Sequence, residues 1–296
     1  LYYKGINWAK GRWVSIDLHV HSVYSGGALT PLEILNEAGS ALLDAVAISD
    51  HNEVRGAIEG QIIAQANPGL PLVLSSQEVS AGDHFHFLLA GSTRPQADVG
   101  RGKLAEILEL HKQSGGVVLL AHPWTAWRKG WTHACLRELV EAGLVDGVEL
   151  ANASLLELSN NERFILRDIW DELVLPHNLA VVGGSDFHYR DKGRRIGAGR
   201  TYLKVFQPGD AGILEALAAR RSIAGLFGCG TDALPGLRYG ALILWGNEPW
   251  RDEFYGLIGT LRARLQCQGR IHPNGRNFLI RLLDAGHFQP VEDLLF

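Results

Sequence analysis

Two histidines two residues apart, in Asp17-Leu18-His19-Val20-His21-Ser22, are the first residues that could do chemistry. Side chains two apart share one face of an extended strand, so both imidazoles arrive at one point. Two neutral imidazoles at one point make half of a transition-metal site. The pair alone is a weak signal, since chance supplies roughly half an HxH pair in a chain this rich in histidine. Its company sharpens it. Ser49-Asp50-His51, Glu78, His84-Phe85-His86, Ala121-His122-Pro123 and Ser185-Asp186-Phe187-His188 each follow a short apolar run. Histidine and carboxylate without thiolate suit Zn, Mn or Fe, and a shared carboxylate suits two such ions a few ångströms apart.

The elements that must position these residues alternate along the chain. Apolar runs predict strands over 15–21, 44–49, 72–79, 84–91, 116–121, 145–150, 179–183 and 200–205. Helical patterns fall over 30–41, 53–66, 103–113, 132–142, 159–174 and 211–220. Thr30-Pro31-Leu32-Glu33 and Ser159-Asn160-Asn161-Glu162 have the form of capping boxes that open two of the helices. Continuous apolar strands between amphipathic helices predict a parallel sheet covered on both faces. About seven such units in roughly 215 residues predict an α/β fold of the (β/α) barrel type. Asp17, His19, His21, Asp50, His51, Glu78, His122, Asp186 and His188 then fall at or just past the C-terminal ends of strands, where barrel enzymes keep their chemistry. His86 is the exception, near the start of its strand. No Gly-rich phosphate or dinucleotide fingerprint follows any strand, which disfavours a nucleotide cofactor.

Taken in order, the blocks around His19, His51, Glu78, His122 and Asp186 resemble the PHP (polymerase and histidinol phosphatase) superfamily. The resemblance covers about residues 15–226. It implies a distorted (β/α)7 TIM-like barrel that hydrolyses phosphoesters with two or three divalent metals. By that resemblance His19, His21 and Asp186 hold one metal. Glu78 bridges to a second, held also by His122 and His86. His51 and His188 serve a third metal or contact the phosphate. Where the family often carries a ligand after its first motif, this chain has Ser25-Gly26-Gly27. The expectation is therefore two tightly held metals and a third that is weak, absent or completed by substrate.

The expected chemistry is attack on phosphorus by a metal-bridging hydroxide, with Asp186, His188 and His51 as catalytic residues and one of the histidines protonating the leaving oxygen. Arg128, Arg194 and Arg195 are candidate phosphate contacts, because guanidinium binds phosphate in bidentate fashion. The alternative for such basic loop residues is plain solvation. Trp124, Trp127 and Trp131 follow His122 and read either as packing or as an aromatic wall; Trp124 is the substrate-binding candidate. Glu149 and Asn152 end a strand at the same rim, as ligand orienters or loop hydrogen bonders. His84 is expected to be a bland loop residue beside His86. The substrate class expected is a small phosphorylated metabolite, a nucleotide among the candidates. A metal-dependent hydrolase of another bond, such as an amide, and a non-catalytic metal-binding module are the competing readings.

Bulk properties fit a globular protein. Of 296 residues, 46% are hydrophobic and 20% charged, and the formal net charge is −4. That charge argues against a broad hold on extended nucleic acid, which needs many phosphate contacts. Three scattered cysteines form no disulfide framework, so a cytoplasmic setting is expected. No apolar run reaches the length of a membrane span. A chain that begins at Leu1 and contains no Met is expected to be less than a whole translation product. Residues 1–14 read as a strap, 15–227 as the hydrolase barrel and 228–296 as a small, mainly helical appendage. Nothing in the sequence speaks to oligomeric state.

Overall fold

The computed structural model describes residues 8–81, 85–96, 101–127, 132–157, 164–189, 194–227, 242–246, 249–250, 252–254 and 256. In chain order the elements are β1 (Arg12–Val20), α1 (Pro31–Ser40), β2 (Ala45–Ile48), α2 (Arg55–Ala66), β3 (Leu72–Ser75), β4 (Glu78–Ala81), β5 (Phe85–Ala90), α3 (Arg101–Gln113), β6 (Val117–Leu120), α4 (Trp124–Trp127), α5 (Thr132–Glu141), β7 (Gly147–Asn152), α6 (Phe164–Ile169), α7 (Leu175–His177), β8 (Ala180–Gly184), β9 (Gly199–Val205), α8 (Gly209–Ala218), β10 (Ser222–Phe227) and β11 (Leu242–Gly246). The box at Thr30 forms as its sequence dictates. Thr30 donates its N–H to Glu33 Oε2 at 2.8 Å, and its hydroxyl accepts the Glu33 N–H at 3.4 Å. The second box, from Ser159 to Glu162, lies outside the described residues.

The strands form two mixed sheets. One has the order β11-β10-β9-β1-β2-β3 and the other β4-β5-β6-β7-β8. The pairs β1–β2, β2–β3, β6–β7 and β7–β8 are parallel, as the buried apolar runs require. The pairs β4–β5, β5–β6, β1–β9, β9–β10 and β10–β11 are antiparallel. The single parallel sheet expected from the sequence is therefore corrected to an α/β architecture of two sheets. Short returns such as 82–84 leave no room for a crossover helix, so β4 and β5 can only pair antiparallel.

The expected strand over 72–79 is also corrected: it is two strands in different sheets. Ser76 and Gln77 divide it. Gln77 is fully buried, and its amide nitrogen reaches Ser92 Oγ and the Arg94 carbonyl, while its Oε1 accepts the Gln96 N–H at 2.8 Å. These bonds hold the chain out of the first sheet and start β4 at Glu78. Two isolated parallel bridges, Val20 with Phe187 and His51 with Glu78, join the two sheets at one end. That end carries every clustered histidine.

Apolar packing fixes this frame. Ile34, Leu35 and Ala38 of α1 close on Val46 and Ile48 of β2, and Leu104 and Leu108 of α3 sit in a cluster with Phe87, Val118 and Val148. Burying such side chains is worth about 1.5–3 kcal/mol each. The strap expected over 1–14 contributes Arg12 to Val14 to β1; residues 1–7 lie outside the described residues. Within the expected appendage, β11 pairs with β10 and so continues the first sheet. Most of the rest of 228–296 lies outside the described residues. No described helix is long and apolar enough to cross a membrane.

Candidate metal centre

Glu78 is the hub. It stands at the first position of β4, fully buried, where the two sheets meet. Its Oε1 lies 2.7 Å from His86 Nδ1 and 2.9 Å from His122 Nε2. Its Oε2 lies 3.3 Å from His19 Nε2, 3.2 Å from His21 Nε2 and 3.0 Å from His51 Nδ1. Five imidazoles from four segments thus face one carboxylate. Asp186 Oδ1 closes the ring, 3.5 Å from Nε2 of both His19 and His21 and 3.5 Å from His188 Nδ1.

Each strand delivers its residue for a local reason. His19 lies in β1 and His21 just past it, on the shared face expected of alternating positions. His51, His122 and Asp186 follow the C-terminal ends of β2, β6 and β8. His86 sits at the start of β5, yet β5 runs antiparallel to β6, so its beginning lies beside the end of β6. The Ala121 N–H accordingly donates to the His86 carbonyl at 3.0 Å. His122 and Asp186 have positive φ, 26° and 50°. Such backbone is costly for non-glycine residues and persists where neighbours over-determine it. For Asp186, its own N–H donates to the His19 carbonyl at 2.8 Å, and the His21 N–H donates to the Phe187 carbonyl at 2.9 Å.

The electrostatics are those of a cation site. His19 and His21 present Nε2 atoms 3.1 Å apart. Two lone pairs, or two N–H groups, at that distance repel unless a positive charge or a single proton lies between them. Glu78 Oε2 is buried and has no hydrogen-bond donor despite its three imidazole neighbours, and His51 Nδ1 is likewise unpaired. A buried polar atom without a partner points to an ion or water. Burial alone would push the His19 imidazole down, but the Glu78, Glu149 and Asp186 carboxylates raise it well above its ordinary 6.5. Burial opposes ionisation of Glu78 too, yet His19, His122 and His21 hold it well below the usual carboxylate range. His188 is lowered to about 4, first by burial and then by the charge of His21. Imidazole and carboxylate atoms within 4.8 Å of one another fall into four overlapping groups: His19-His21-Asp186, His19-Glu78-His122, His51-Glu78-His86 and His21-His51-His188. The donor set fits divalent transition metals.

Not every residue named from the sequence enters this cluster. Asp17 and Asp50 are buried anchors. Asp17 accepts the N–H groups of Ser185 at 2.8 Å and Gly197 at 2.7 Å, and Asp50 accepts the O–H groups of Ser22 and Ser25 at 2.6 Å each. Ser25 Oγ in turn lies 3.3 Å from His21 Nδ1. Trp124 is buried in the core with its ring edge-on to His122 at 6.4 Å, so it backs that histidine instead of presenting a face to solvent. Arg194 is half-buried and Arg195 exposed, on the segment that leads into β9. His84, Arg128 and Trp131 lie outside the described residues. Glu149, left between two roles by the sequence, is a fully buried partner of His19 Nδ1 at 3.2 Å. A carboxylate inside the run Val148-Glu149-Leu150-Ala151 was the signal for it.

No family model matches the chain. A two-domain protein from Bacteroides vulgatus, containing a predicted PHP-like metal-dependent phosphoesterase, superposes with a TM-score of 0.58 at 23% identity. The match covers 73% of this chain and 65% of that one, so the chain spans just under two thirds of that protein's length. A lesion-specific endonuclease from Pyrococcus furiosus matches with a TM-score of 0.48 at 16% identity, over 80% of this chain and 60% of the other. An uncharacterised protein of Methanocaldococcus jannaschii is 28% identical over 149 residues, 46% of this chain and 81% of its own. The chain therefore has a PHP-like fold, which agrees with the resemblance carried by its motifs.

Proposed function

We propose that this protein is a metal-dependent phosphoesterase of the PHP superfamily acting on a small phosphorylated metabolite, with nucleotides among the candidates. The observation that carries the reading is the convergence of five imidazoles on Glu78, whose Oε2 is buried without a hydrogen bond. We read the two sheets as halves of a distorted (β/α)7 barrel spanning 15–227, flanked by a strap and a C-terminal appendage.

His19, His21 and Asp186 would hold one divalent ion, Zn, Mn or Fe, and Glu78 would be shared with a second. The structure groups His51 with Glu78 and His86, and His122 with Glu78 and His19. The second ion would be held by Glu78 with His86, and by either His51, grouped with both, or His122, which shares Glu78 Oε1 with His86. His188, facing His21 and His51, offers a weaker third position. Such ions supply Lewis acidity, activating water and offsetting charge on the phosphoryl oxygens. His188, lowered to about 4, is neutral at pH 7 and suits a ligand or acceptor. Where His86 and His122 hold the second ion, His51, partly exposed at the mouth, is the residue proposed to protonate the leaving oxygen. Arg194 and Arg195, with Arg128, are proposed to bind phosphate. Trp124 is proposed to support His122.

The test is release of phosphate from a panel of small phosphoesters by protein loaded with Mn or Zn. Metal analysis of protein purified without chelator should give two tight equivalents per chain; three would contradict the assignment. Arg194→Ala and Arg195→Ala should raise KM for a phosphoester while metal content stays the same. A neutral amide substrate would be indifferent to them, which separates the competing hydrolase reading. Loaded protein inert across the panel, with His19→Ala indistinguishable from it, would remove the proposal.

A further inference from the structure

Glu149 lies on β7, on the Nδ1 side of His19, away from the Nε2 that meets Glu78. Its carboxylate is fully buried. Oε1 and Oε2 lie 3.2 and 3.3 Å from His19 Nδ1, and Oε2 also accepts the backbone N–H of His122 at 2.9 Å. No Lys or Arg pairs with it among the described residues. A buried carboxylate needs a countercharge. Among the described residues its imidazole partner is His19, whose other nitrogen points at Glu78, His21 and Asp186.

The surrounding backbone is shaped around this pair. Gly184, the last residue of β8, lies against it. A Cβ there would stand 2.7 Å from Glu149 Oε1 and 2.8 Å from the His19 backbone nitrogen, and would collide with the His19 Cβ. Glycine is thus the residue that leaves room for the carboxylate and the imidazole together. The second bond matters as much. His122 has φ 26°, and its N–H is tied to Glu149. One carboxylate therefore fixes a side chain from β1 and a backbone turn after β6.

We infer that Glu149 is a positioning residue that tunes two cation positions at once. This rests on the metal-dependent reading of the cluster. As acceptor from Nδ1–H it selects the His19 tautomer whose Nε2 carries the lone pair, and its charge raises the basicity of that ligand. Through the His122 N–H it holds the Nε2 of that histidine against Glu78. His19 belongs both to the group with His21 and Asp186 and to the group with Glu78 and His122. Loss of Glu149 should accordingly weaken both positions together. His21, whose outer partner is the Ser25 hydroxyl, lacks such a direct carboxylate.

Chelator-stripped wild type, Glu149→Gln and Glu149→Ala are titrated with Co2+ followed by visible absorption, and with Mn2+ by calorimetry. Glu149→Gln keeps an acceptor but loses the charge. It should bind both tight ions on the order of 10–100-fold more weakly, with an altered Co2+ spectrum. Glu149→Ala should bind more weakly still. If Ala does not fold, the isosteric Gln variant carries the test. Folded Gln protein with wild-type affinity and spectrum would overturn the inference and leave Glu149 a packing residue. Wild type that binds no cation in the same titration would instead overturn the parent reading of the cluster.

Discussion

His51 Nδ1 lies 3.0 Å from Glu78 Oε2, and neither buried atom takes part in a hydrogen bond. Contact distance without hydrogen-bond alignment is what a pair of ligands to a common cation looks like. Glu78→Gln keeps the shape and removes the charge that five imidazoles share. Metal content should fall by at least one equivalent per chain, and phosphoester hydrolysis by about 100-fold or more. Elemental analysis and phosphate release check this. Unchanged values in both would separate Glu78 from metal and from catalysis.

Removal of metal should also be felt by the fold. Histidines from β1, β5 and the ends of β2 and β6 meet at Glu78, so bound ions would tie both sheets together. A ligand at 100 times its Kd stabilises by about 2.7 kcal/mol. Dialysis against a chelator should lower Tm by several degrees, and added Mn2+ or Zn2+ should restore it. A Tm indifferent to both treatments would count against resident ions.

Gly184→Ala tests the space around the buried pair. The added Cβ meets Glu149 Oε1 at 2.7 Å and the His19 backbone, neither of which can retreat without moving β1 or β7. Overpacking of this kind costs about 1–3 kcal/mol. Gly26→Ala is the contrast: its φ is +95° and no atom lies near the new Cβ, so backbone strain alone remains. Urea unfolding should show Gly184→Ala as the more destabilised, with metal affinity reduced in that variant only. Equal behaviour would refute the spatial argument.

Acid sensitivity should include a contribution remote from the cluster. His111 of α3 is buried, and its Nε2 donates to the Ala90 carbonyl at 3.0 Å. Burial lowers its pKa below the ordinary 6.5, only partly offset by the Ala90 carbonyl and the Val117 backbone. In the unfolded chain it takes a proton near pH 6.5, while in the fold it stays neutral to lower pH. Its contribution is thus fully present above pH 6.5 and is lost as pH falls through the folded value. His111→Gln keeps a donor that does not titrate. Its denaturation midpoint should vary less with pH between 4 and 7 than that of wild type. Parallel pH profiles would assign the acid sensitivity elsewhere.

The residue types of the cluster, and their places along the chain, are legible in the sequence alone. Alternation put His19 and His21 on one face, and apolar runs ending at Ser49, Ala121 and Ser185 marked where a sheet hands over to polar residues. These are local properties, set by strand period and by the cost of burying charge. Strand direction and register are not local, and tertiary structure alone decided them. The antiparallel course of β5 brings His86 to the rim from the wrong end of its strand. The break at Ser76 and Gln77 puts Glu78 at the junction of two sheets instead of inside one. The pairing of β7 with β6 and β8 sets Glu149 behind His19, across 130 residues of chain. Which histidine shares an oxygen with which depends on these long-range pairings, because a side-chain contact between strands follows from how whole strands dock and no window of sequence encodes it.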